Sequence, residues 1–168
     1  MTSMKLIDCS YFYTGPLQIE NARSAGDLDN NAHAVQECIE AYIERYQGEF
    51  LTKMVGTGLR ATIEEHLANL DTDGYSNDAL EDLCSRLRLS FAHYIYFKLA
   101  GDANLGLTVT GLMQFKSANT HHSPRQRMVR VWNDMVVLNI DFVEWAKESV
   151  YDVFYYVDMV TPINQYNL

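Results

Sequence analysis

Positive charge is scarce in this chain. Thirteen Lys and Arg face twenty-two Asp and Glu, a formal charge of −9. Such a field repels phosphate backbones and anionic lipid at long range, which disfavours a nucleic-acid-binding domain and a peripheral membrane protein. Cysteine is thin as well. Cys9, Cys38 and Cys84 are odd in number and widely spaced, and without a C-x-x-C pair they offer neither a zinc knuckle nor a dithiol redox motif. Cys38 and Cys84 fall on apolar helix faces, where cysteine packs as a small hydrophobe. That usage fits a reducing cytosol. No stretch reaches the about 18 consecutive apolar residues of a membrane helix, and Met1 to Tyr13 lacks the apolar core of a secretory signal. Internal repeats and low-complexity tracts are also missing.

Catalytic and cofactor motifs are equally sparse. Gly56, Gly58 and Ala61 form a G-x-G-x-x-A string, but a dinucleotide site needs a preceding strand, and the residues before Gly56 follow helical spacing. A glycine-mediated turn between helices is the better reading. Di-iron carboxylate bundles need Glu-x-x-His pairs; none of His33, His66, His93, His121 and His122 has a Glu three residues before it. The nucleophile elbow and the phosphate-binding loop are not found. The expectation is therefore a non-enzyme, with no catalytic residue, no cofactor and no metal.

Helical periodicity dominates what is present. Apolar residues make up 48% and charged residues 21% of the 168 residues, values usual for one globular domain. Residues 1–26 read as an irregular lead-in with an aromatic cluster at Tyr11, Phe12 and Tyr13. Asp27 and Asp29 precede a stripe of Val35, Cys38, Ile39, Tyr42, Ile43 and Tyr46, spaced three and four apart. The stripe continues through Phe50, Leu51, Met54 and Val55, as one helix bent near Gly48 or as two. After Gly56-Thr57-Gly58 come Leu59, Ile63, Leu67 and Leu70. A further helix, capped at Ser76, carries Leu80, Leu83, Leu87, Phe91, Tyr94 and Ile95 and closes at Gly101. Its apolar surface is broad, which places it centrally or at a subunit interface.

Residues 105–117 read as a small β-hairpin around Gly111. Ser123-Pro124-Arg125-Gln126 then has the form of a capping box with proline at the first helical position. The final helix carries Met128, Val131, Trp132, Met135, Leu138 and Phe142, and extends past Val150. The fold class expected is mostly α: a compact bundle of four to five helices with a hairpin between the last two long ones. The helical domain spans 27–154, and an aromatic-rich tail over 155–168 either folds back or docks on another subunit. Lys116, Arg125, Arg127 and Arg130 form a basic cluster that pairs with surface glutamates or meets an acidic helix of another subunit.

The string Tyr42-Ile43-Glu44-Arg45, followed by Glu49-Phe50-Leu51-Thr52-Lys53-Met54-Val55-Gly56 and Leu59, resembles the opening of phage head–tail connector (adaptor) proteins. Met54-Val55 stands where that family has two leucines. The aromatic end of the next helix, the Gly- and Thr-rich hairpin, the polar loop with Asn119 and the long last helix agree in order over residues 30–150. The resemblance implies a virion protein without an active site, made in the host cytoplasm. Its subunits form a ring that joins the portal to a tail or stopper protein and extends the DNA channel. DNA would pass without sequence-specific contact, and an isolated subunit could be monomeric. Subunit or partner contacts are then expected at Val109, Leu112, Phe115, Lys116, Arg125, Arg127, Tyr155 and Tyr156. The competing readings are a small helical module that grips one protein partner, and an enzyme whose site is assembled from scattered residues, marked by a deep polar pocket.

Overall fold

Three helices and two docked end segments make up the structure, a computed structural model that describes residues 5–23, 30–104, 124–166 and 168. The helices are α1 (Asn30–Asn69), α2 (Asp78–Asn104) and α3 (Pro124–Lys147). The mostly α class is thus observed, with no strand among the described residues. The hairpin at about 105–117, the Asp27 and Asp29 caps and the Ser123 cap fall outside them. No described helix is long and apolar enough to cross a membrane.

The first helix runs straight through Gly48 and breaks at Gly56. Val35, Ile39, Ile43, Phe50 and Met54 lie along its inner face, each at most 1% exposed. At Gly56 the backbone turns to φ 81°, ψ 169°, a region open essentially to glycine alone. One residue thus separates limbs 30–55 and 57–69 without a loop. Arg60, in the second limb, donates from Nη1 to Thr52 Oγ1 at 3.1 Å. A Cβ on Gly48 would lie 2.5 Å from the Arg60 guanidinium. In an unbroken helix residues 48 and 60 would stand about 18 Å apart, so the contact shows how sharply the second limb turns back. The expected bend belongs to Gly56; Gly48 makes room for Arg60. Counted as one element across that break, α1 makes three α-helices among the described residues, fewer than the four to five expected.

Asn77, not Ser76, caps α2: its Oδ1 accepts the Leu80 N–H at 3.1 Å, while Ser76 donates its hydroxyl to Asp78. Asp78 and Glu81 then sit in the first turn, where the helix dipole favours acids. The helix is central. Leu83, Leu87, Phe91 and Ile95 are fully buried on one side, Ala92 and Tyr96 on others. It runs past Gly101 to Asn104, and a Cβ on that glycine would be in ordinary contact with Met128 Cε of α3 at 3.4 Å. Ring centroids of Phe50 and Phe91 lie 4.9 Å apart, those of Tyr94 and Trp132 6.4 Å, and those of Phe97 and Trp132 4.8 Å. Such pairs add about 0.5–1.5 kcal/mol each beyond burial, and they join all three helices.

α3 stops at Lys147 rather than beyond Val150. Its last turn tightens, with the amides of Glu148 and Ser149 bonding back three residues to Trp145 and Ala146. The lead-in is part of the body. Leu6, Phe12, Leu17 and Ile19 are buried. Asp8 caps a 3-10 turn over Cys9–Phe12, and Lys5 reaches Glu40 at 2.5 Å and Glu44 at 2.8 Å. The tail folds back as well. Asn139 donates to the Met159 carbonyl at 2.7 Å, Trp132 to that of Thr161 at 3.0 Å, and Asn133 exchanges two bonds with the Ile163 backbone.

Candidate functional site

The Gly56 break and the returning chain create one surface. In a continuous helix the Lys53 carbonyl takes the amide of residue 57; here it accepts the Tyr156 N–H at 2.8 Å. Phe154 lies over the break, 3.3 Å from where a Gly56 Cβ would stand. Between the two segments lies a cleft of about 480 Å³, lined by Thr52, Val55, Thr57, Leu59, Asp152 and Phe154 among others. Lys53 holds the returning chain through Asp158 at 3.3 Å and also meets Glu49 at 3.4 Å. Glu49 in turn accepts from Tyr94 at 2.6 Å and faces Lys98 at 3.5 Å. Burial works to raise the Glu49 pKa; the Tyr94 hydrogen bond and the two lysines outweigh it and hold the carboxyl below its usual value. Burial and the Glu49 contact push the Tyr94 phenol far up, so it stays a neutral donor.

The strap that leads from α3 to these anchors packs Tyr151 and Val153 on the core but leaves other apolar side chains exposed. Val150 is 90% exposed, Phe154 68% and Val157 74%, with Tyr156 beside them. Burying such side chains is worth about 1.5–3 kcal/mol each, which makes the strap a candidate contact surface.

The residues singled out by sequence divide clearly. Phe50, Leu51, Met54 and Val55 are core residues, Gly56 is the break, and Leu59 is half-buried on the cleft. Tyr155 and Tyr156 are exposed along it. Arg125 is exposed. Arg127 is not available to a partner: it is buried, its guanidinium lies 5.2 Å from the Tyr96 ring centroid and donates to the Pro16 carbonyl at 2.8 Å. Val109, Leu112, Phe115 and Lys116 lie outside the described residues.

Sequence reading missed a buried polar group between α1 and α2. His66, 1% exposed, places Nδ1 3.0 Å from the Tyr75 hydroxyl and Nε2 3.2 Å from Glu81, which also pairs with Arg88 at 2.5 Å. The signal was a histidine inside an apolar stripe. Both ring nitrogens are occupied, and the group ties the end of α1 to the start of α2 across the turn at 70–77. No group of three or more His, Cys, Asp or Glu among the described residues is arranged to hold a metal. No family model, curated protein or solved structure matches the chain.

Proposed function

We propose that this chain is a virion assembly protein, the subunit of a head–tail connector ring that joins the portal to a tail or stopper and extends the DNA channel. One observation carries the reading: an anchored strap leaves its apolar side chains in water beside the break in α1. Support comes also from the order of elements. A helix broken after the FLTKMVG string, a central helix rich in aromatics and a long last helix opening at Pro124 follow the order expected of that family. An acidic chain suits a channel through which DNA must slide without sticking. No catalytic step is assigned to any residue.

The test is to mix the full chain with a portal protein from the same genome and image the complex. A ring seated on the portal is the expected result. Absence of binding at both low and high salt removes the connector role. A stable one-to-one complex with a single helix or peptide would favour the smaller alternative, a binding module that uses the same cleft.

A further inference from the structure

We infer that copies of this chain join head to tail, with the acidic aromatic strap of one copy seated on the basic start of α3 in the next. The inference rests on the connector reading and names its subunit contact. Residues 124–133 hold three arginines, of which Arg127 is buried, and no acid before Asp134, whereas residues 148–158, after Lys147, hold three acids and no base. Arg125 and Arg130 are exposed, as are Glu148 and Asp152, and none of the four has an ion pair among the described residues. Asp158 alone is committed, to Lys53.

The two patches cannot satisfy each other within one chain. The strap runs from the end of α3 to Met159, which sits beside Asn139. Counted along α3, that is 9 to 22 residues from the two arginines, roughly 14–33 Å at helical rise. Charges that far apart in water are screened. Two different patches at two ends of one helix define a heterologous contact, which closes into a ring or runs on as a filament. The receiving end also has an apolar seat. Val129 lies on the same turns as the arginines and, with Ile163 and Tyr166, lines a cleft of about 390 Å³. Phe154 and Val157 of the incoming strap supply the apolar part of the contact, and Glu148 and Asp152 its charge.

The test is sedimentation velocity of the full chain from micromolar to millimolar concentration, at low and high salt. Association that weakens with salt is expected. Arg125→Glu with Arg130→Glu, and separately Glu148→Lys with Asp152→Lys, should each weaken it by roughly tenfold or more. An equimolar mixture of the two variants should recover it, since each reversed patch then meets its complement. Circular dichroism of each variant checks that the fold is kept. Failure to associate at millimolar concentration and low salt overturns the contact, and so does association indifferent to both reversals. Portal capture is a separate arm. Its failure beside charge-dependent self-association removes the connector reading alone; its success beside charge-independent self-association removes this contact alone.

Discussion

Two glycines of α1 have opposite roles. Gly56 holds φ 81°, ψ 169°, so any side chain there is strained, and a Cβ would press on Phe154. Gly56→Ala should therefore cost roughly 1–3 kcal/mol, read by denaturant unfolding. Gly48 is helical, and the nearest obstacle to a Cβ is the flexible end of Arg60. Gly48→Ala should gain up to about 1 kcal/mol of helix propensity, less what Arg60 loses on leaving Thr52. A clear destabilisation at Gly48 would mean that the guanidinium cannot move. His93 gives the chain a pH dependence. Burial holds its imidazole below the ordinary 6.5, only partly opposed by the Leu89 carbonyl and by Asp134. The unfolded chain thus takes up the proton first, so stability is full above pH 6.5 and falls as the pH drops below it. Unfolding measured from about pH 8 to about pH 5 should show this slope, and His93→Gln should flatten it.

The contact between α3 and the tail depends on asparagines. Asn139 is fully buried and serves both the Ser90 hydroxyl and the Met159 carbonyl. Removing it strands two buried groups, so Asn139→Ala should cost about 2–3 kcal/mol. Asn133→Ala frees backbone groups of Ile163 that are only part-buried, and about 1 kcal/mol is expected. Comparing the two by thermal and denaturant melts separates burial from bond count. Neither role was legible in the sequence, because an asparagine between apolar neighbours does not announce which distant backbone it meets. The stripes were legible, since burial follows spacing: Val35, Ile39, Ile43, Leu83, Leu87 and Phe91 are all inside. The ends of helices were less so. Ser76 lost the cap to Asn77, α2 ran past Gly101, and α3 stopped before Val150. Of the candidate site, Gly56, Tyr155 and Tyr156 were visible separately. Their meeting depends on the Lys53 carbonyl and the returning chain, which local periodicity cannot supply.

At the scale of the molecule, the strap is held in place along its length, with Tyr151 and Val153 packed on the core. Tyr156 and Asp158 hold it to Lys53, and Met159 is fully buried. Phe154 and Val157, between or beside these anchors, stand mostly in water. A segment already held in place loses little entropy when it binds, which is how preorganisation raises affinity. Phe154→Ser combined with Val157→Ser should therefore separate assembly from folding. Exposed positions change stability by about 0.5 kcal/mol or less, so the melting curve should scarcely move. Self-association and portal capture should both weaken, because the removed side chains are the ones an incoming surface would bury. If the double variant instead unfolds as readily as it loses binding, the strap is packing for the body and its apolar side chains have no outside partner. Binding kept at full strength would likewise show that other surfaces carry the assembly.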